Sequence, residues 1–426
     1  MDKELMERSE ELLKRIDRFN KFSSRYQVFP YQEEGKVFEE LLRLSDSIPD
    51  YDLPQNRDEL LQSELKRKLS SETIALEHML GGIPIEFDTT ISMMGIPNSD
   101  LTELRNWLES NRKTTSDTIE RFFQSRDVLN FDTLNLDNPS VSQKAQSIAL
   151  SYLQKHHSVY GAMLPDITEV GRFLKDLNAE VTMNERSYFD SLTKTLLIGV
   201  PAICYLQEDG NLGLKDVEFL RIYGHEGIGH GLNHIITESS GLPYFLTRDS
   251  RASRPTGESI GQFFESLIYE DINANPRIQK ALGIEDTFDT TYKESKDTQQ
   301  LLEYKAKLFH YCITVLADKS LGDPNDPDVI RKKIELIGEV AIDPYMPQGF
   351  VEQHRHSFDL EGNLNPQLVN ELQYAAQPVN RVLEEFAKQG INYESVGRNL
   401  IDATLLTGLW TPIGYVDNAR LAAQGK

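Results

Sequence analysis

Between Tyr223 and Ile236 the chain reads Tyr-Gly-His-Glu-Gly-Ile-Gly-His-Gly-Leu-Asn-His-Ile-Ile. This gathers His225, Glu226, His230 and His234 into ten residues of a chain with nine histidines. A His-Glu pair followed closely by a second histidine is what a catalytic zinc site asks of a helix. Two neutral imidazoles hold the ion, and the adjacent carboxylate serves as general base toward a water on it. The spacing constrains the backbone, because His225 and His230 are five residues apart. A regular α-helix would set them roughly 140° apart around its axis. A π-bulge brings them back to one side, and such bulges gather at functional sites. Gly227, Gly229 and Gly231 give the backbone the freedom to form one, although each costs a helix roughly 0.8–1 kcal/mol against alanine. A purely structural helix has little reason to carry them. The competing reading is a His-rich helix that packs or faces water, and His230 with His234 at four-residue spacing is a rival pairing.

A catalytic zinc takes three protein ligands and keeps one position for water. Cys204 and Cys312 are the only cysteines, too few for a thiolate site or a disulfide framework, so the donors must be His and carboxylate. The two thiols are expected to be buried and free, in a reducing compartment. Downstream, Arg254-Pro-Thr-Gly-Glu-Ser-Ile-Gly-Gln-Phe-Phe-Glu-Ser-Leu-Ile-Tyr-Glu-Asp reads as a helix from near Thr256, with Phe263, Phe264, Leu267 and Ile268 as its apolar side. Glu258 and Glu265 stand seven apart and share a face of it. Glu258 is assigned as the third ligand, and Glu265 as the partner that orients a histidine. Glu265 and Glu270 are fallback ligands.

These residues resemble the gluzincin metallopeptidases. The nearest likeness is to a large bacterial family with a His-Glu-x-x-Pro-Gly-His motif and a later Glu-Gly-Trp-Ala-Leu-Tyr-Ala-Glu motif. Here the first reads His225-Glu226-Gly-Ile-Gly-His230, without the proline, which is the His-Glu-x-x-Gly-His form of the dipeptidyl peptidase III family. The second reads Glu258-Ser-Ile-Gly-Gln-Phe-Phe-Glu265. The Glu-Glu second motif of dipeptidyl peptidase III is not evident. The resemblance covers about residues 195–400, with specific motifs in 225–265. It implies a mainly α-helical, zincin-like fold, one Zn2+ per chain and peptide hydrolysis. The bacterial family also carries an Arg-Tyr pair followed by Pro-Gly-Gln. This chain keeps Tyr374 and Pro378 but has Gln373 in place of the arginine. A tyrosine hydroxyl there could stabilise the oxyanion, and a core tyrosine is the alternative.

Elsewhere the pattern is helical: 1–25, 31–47, 57–80, 100–125, 141–159, 298–320 and 328–340 carry apolar residues at helical spacing. The segment 81–88 reads as a loop or short strand. The segment 195–206 is β-branched and apolar and reads as a strand. Pro201 cannot donate to a ladder, which puts that strand at a sheet edge, where an extended peptide could pair with it. A buried connector is the alternative. Residues 341–356, with two prolines, His354, Arg355 and His356, read as a surface loop. His78, His156 and His157 fall within helices and read as packed or solvated. A helical region over 1–190 would pack on a catalytic region over 191–426, as one continuous body.

The net charge of −22 argues against a nucleic-acid backbone as partner. The charged N-terminal stretch lacks the apolar core of a signal peptide, and no apolar run approaches the ~20 residues of a membrane span. The expectation is therefore a cytoplasmic zinc metallopeptidase acting on a peptide or peptide-like substrate, with its oligomeric state open. Two alternatives stand beside it: a helical binding or scaffold protein with a vestigial metal site, and a metal-dependent tailoring enzyme acting on another bond.

Overall fold

A computed structural model describes residues 3–23, 31–49, 51–81, 85–86, 101–127, 136–206, 211–250, 252–323, 325–354, 363–364, 378–393 and 396–426. The fold is mainly α-helical with a few short strands. The helices are α1 (Lys3–Ser23), α2 (Tyr31–Ser47), α3 (Arg57–Gly81), α4 (Leu101–Asp127) and α5 (Pro139–Ile167), then α6 (Asp216–Ile222), α7 (Asn233–Ser239) and α8 (Arg254–Ala274) around the His-Glu element. After these come α9 (Pro276–Leu282), α10 (Phe288–Ala317), α11 (Pro327–Val340), α12 (Met346–His354), α13 (Pro378–Lys388), α14 (Val396–Leu405) and α15 (Pro412–Ala423). Four of them begin alike. Asn138, Asn275, Asp326 and Thr411 each cap a helix with a side-chain oxygen, and each is followed by proline. The cap satisfies a free N–H, and proline, which has none, is already set at the helical φ.

The strands are β1 (Ile85–Glu86), β2 (Asn178–Thr182), β3 (Tyr188–Asp190), β4 (Thr195–Gly199), β5 (Cys204–Leu206), β6 (Leu212–Leu214) and β7 (Asn363–Leu364). β4 lies between β2, which runs parallel to it, and β3, which runs antiparallel. The single edge strand expected over 195–206 is therefore corrected on two counts. It is broken by a helical turn, Val200–Ile203, that takes up Pro201 near its start. Its first half is the centre of a three-stranded sheet, with both neighbours coming from 178–190, where no strand was expected. The exposed edge beside the His-Glu element is β3. The 341–356 loop is also corrected: α12 occupies most of it, and His354 is buried at its end against Phe350, rings 4.5 Å apart. Proline is tolerated in a first helical turn, so Pro347 did not exclude a helix.

The larger core draws on Leu12, Leu65 and Leu153 as well as Tyr223, Ile268, Phe386 and Trp410. A second cluster joins α4, the end of α10, α11 and α12 through Leu108, Tyr304, Ile313, Ile337 and Val351. One buried polar arrangement bears on the site. The connector from α7 to α8 is clamped from outside. Lys68, fully buried on α3, donates to Phe245 O at 2.6 Å and to Leu409 O, and Leu409 N–H donates to Leu246 O at 2.7 Å. Arg248, also buried, pairs with Asp17 of α1 at 2.7 Å and with Glu72 of α3 at 2.8 Å. Glu64 accepts from both the N–H and the hydroxyl of Thr411. Each buried charge thus has the partners it needs to be tolerable away from water.

Candidate metal centre

The two histidines ride on one helical run that changes its winding. α6 ends at Ile222, a π-helix spans Tyr223–Leu232, and α7 resumes from Asn233. In a π-helix, with i→i+5 hydrogen bonds, side chains five apart stack one turn above the other. The rings of His225 and His230 come to 4.9 Å between centroids at an interplanar angle of 72°. The expected bulge is thus a ten-residue segment. Its glycines serve a second purpose, since none of them has a positive φ. A Cβ on Gly229 would stand 2.6 Å from the Cα of Gly261 on α8, and one on Gly224 would stand 2.7 Å from Phe264 O. The two elements that carry the candidate ligands therefore cross backbone to backbone. Gly261 itself makes room for the His225 ring, whose Nε2 would lie 2.7 Å from an added Cβ.

That close crossing sets Glu258 against the histidines. Its Oε2 lies 3.6 Å from His225 Nε2. One ligand atom each from His225, His230 and Glu258 falls within 4.8 Å of the others, the one such group among the described residues. Bonds of about 2.1 Å to a tetrahedral zinc would hold ligand atoms about 3.4 Å apart, so small side-chain shifts close the set. The centre is partly open, with the Glu258 side chain 23% exposed and that of His225 15%. Glu226 stands beside it, its Oε2 accepting the Phe189 N–H of β3 at 3.2 Å. Burial raises its carboxyl above the usual range, against the pull of His225. Burial also works against the Glu258 carboxylate, but the two imidazoles outweigh it and hold that group below the usual range.

Glu265 is almost fully buried, and its Oε2 lies 3.1 Å from His225 Nδ1. Its Oε1 accepts from Arg221 Nη1 at 3.3 Å. Arg221 also grips Glu218, Nη2 to Oε1 at 2.6 Å and Nε to Oε2 at 3.0 Å.

His225, His230, Glu258 and Glu265 are thus brought together, with Glu226 adjoining. His234 is not part of the group: its Nε2 turns to Glu238 at 3.1 Å, and its ring faces Phe189. Glu270 lies elsewhere on α8, accepting from Tyr292 at 2.9 Å and from Lys296. His156 is buried with Nδ1 against Tyr152 O, and His157 pairs with the Tyr223 hydroxyl at 2.8 Å. Tyr374, Arg355 and His356 lie outside the described residues, as does the His78 side chain. The chain is described again from Pro378, where Val379 N–H donates to the hydroxyl of Ser259, the neighbour of Glu258. Phe189, Gly261 and Arg221 were not singled out from the sequence. Gly261 carried a faint signal, a small residue three positions after Glu258, on its helical face. No protein-family profile, curated protein or solved structure matches the chain.

Proposed function

We propose that the protein is a zinc-dependent metallopeptidase of the gluzincin type, with one zinc per chain, hydrolysing an amide bond in a peptide or peptide-like substrate. The observation that carries this reading is the convergence of His225, His230 and Glu258 within 4.8 Å, with the Glu226 carboxylate fixed beside them by Phe189 N–H. Two imidazoles and one carboxylate are a donor set that suits zinc and leaves a position open. Bound there, zinc would acidify a water and polarise the scissile carbonyl. Glu226 takes the proton from the attacking water and passes it to the leaving nitrogen. Its raised carboxyl suits a group that must both accept and return a proton. Tyr374 is assigned to the developing oxyanion as a hydrogen-bond donor.

The edge of β3 supports a peptide substrate. Among the described residues this strand pairs with β4 and with no other strand; its Phe189 N–H is taken by Glu226, so main-chain pairing with an extended peptide would use the rest of that edge. No helix among the described residues is long and apolar enough to cross a membrane. Two buried free thiols, Cys204 and Cys312, suit a reducing compartment such as the cytoplasm.

The test combines metal content of the untagged protein with peptide turnover by wild type and Glu226→Gln. Near one zinc in both is expected, with turnover lower in the variant by a factor of about 100 to 10,000. Unchanged turnover in Glu226→Gln sinks the mechanism. A wild type that takes up no zinc favours a helical scaffold, and one that holds zinc without cleaving peptides favours a tailoring enzyme acting on another bond.

A further inference from the structure

We infer that Arg221 is a positioning residue for the metal centre: acting through Glu265, it fixes the tautomer and ring plane of His225 and so sets how tightly an ion is held. This rests on the reading above that His225, His230 and Glu258 bind a metal.

A neutral imidazole has one N–H and one bare nitrogen, and the bare one must face the ion. His225 Nε2 is the nitrogen turned toward Glu258, so the proton belongs on Nδ1, which faces Glu265 Oε2 at 3.1 Å. A carboxylate that accepts this N–H selects the ligating tautomer and holds the ring against rotation. Glu265 can do so only if its own direction is fixed. Among the described residues its hydrogen bonds run to His225 and Arg221. The nearby Tyr269 hydroxyl is committed to Val217 O. Arg221 is therefore the group that both orients Glu265 and supplies the positive charge a nearly buried carboxylate requires.

Arg221 is itself aimed. Two of its nitrogens are engaged by the Glu218 carboxylate at 2.6 and 3.0 Å, which orients the planar fork so that Nη1 is left for Glu265. The guanidinium bridges two carboxylates at fixed angles, which an ammonium on a flexible stem cannot reproduce. The string Glu218, Arg221, Glu265, His225 thus runs from the protein surface to the ligand. It begins about two helical turns before His225, on the ordinary α-helix that precedes the π segment.

The experiment measures zinc affinity of the full chain by chelator competition, together with the absorption spectrum of the cobalt(II) form. The variants are Arg221→Met, Arg221→Lys, Glu265→Gln and the double variant Arg221→Met/Glu265→Gln. Arg221→Met is expected to weaken zinc binding by about 10- to 100-fold, the range for a group that orients a metal-bound histidine. It should also shift the cobalt bands, with Arg221→Lys between it and wild type. The double variant should bind no more weakly than Glu265→Gln alone, because Arg221 acts through Glu265. A merely structural role would lower the melting temperature but leave the spectrum and the coupling unmoved. If Arg221→Met does not fold, Glu218→Gln loosens the same fork and is expected to weaken zinc binding in the same direction. Wild-type affinity and spectrum in Arg221→Met, or additive losses in the double variant, overturn this inference alone. A wild type that binds neither zinc nor cobalt overturns it together with the function on which it rests.

Discussion

The surroundings of His225 favour its charged form. Burial opposes the charge, but the contacts with Glu258 and Glu265 outweigh it and hold the imidazole up to about 9. His230 goes the other way, down to about 4, through burial and the neighbouring His225. On the proposed reading, metal uptake near neutrality would expel one proton, from His225 and not from His230. Zinc affinity is expected to rise with pH between 6 and 8, by roughly tenfold per unit for a single displaced proton. Calorimetry in two buffers of different ionisation enthalpy measures the proton count. Affinity that is flat over this window would remove His225 from the ligand set. At this scale the arrangement was legible where it resided in the identity and spacing of side chains. His225, His230, Glu258 and Glu265 announce themselves by identity and spacing. Phe189 does not, because its contribution is a main-chain N–H that any residue but proline would supply. Gly261 does not, because its contribution is the absence of a Cβ.

The π-helix is the element on which the centre depends, and its glycines are not equivalent. At Gly224 and Gly229 an added Cβ would meet backbone of α8 at 2.7 and 2.6 Å, and helix backbone cannot step aside. At Gly227 the nearest atom is the tip of Leu196 at 3.0 Å, which can turn. Gly224→Ala and Gly229→Ala should each cost on the order of 1–3 kcal/mol, as overpacking does. Gly227→Ala should stay near neutral, because a stiffer unfolded chain offsets the leucine's shift. Denaturant unfolding of the three variants decides it. Equal losses at all three positions would mean that the glycines serve the winding rather than the crossing. The five-residue spacing was enough to expect altered winding, since no α-helix can bring two such side chains together. It could not reveal the crossing, which depends on a second element. The short strands were obscured for a related reason. β2 and β3 are held by register against β4, and three to five residues carry too little periodicity to show it.

Across the whole molecule, stability should depend on acid through histidines outside the candidate metal centre. His156 and His310 are buried, and burial pushes each down to about 4. Between that value and the usual 6.5 the unfolded chain binds protons that the folded one refuses. Stability is thus intact above 6.5 and falls as pH drops through the window. The slope is up to about 1.4 kcal/mol per pH unit for each histidine. Melting temperatures at pH 7 and pH 5 should differ less in His156→Phe/His310→Phe than in wild type, and an unchanged difference would place the acid sensitivity elsewhere. The helical character of the chain was legible at this scale because long amphipathic periods are robust. The clamp of Lys68 and Arg248 was not, since nothing local marks a lysine as one that will be buried.

That clamp also has a temporal side. Lys68 and its acceptor Leu409 are 341 positions apart, so at roughly 5–20 residues per second a ribosome takes on the order of tens of seconds to supply the second after the first. Glu258, the last of the three ligand positions in the chain, emerges well before Leu409 does. A nascent chain could therefore present all three candidate ligand positions, with the tie from Lys68 to Phe245 O already available, while the second tie through Leu409 is still to come. On the proposed reading, capture of an ion and closure of the fold are separable events, and the first can precede the second.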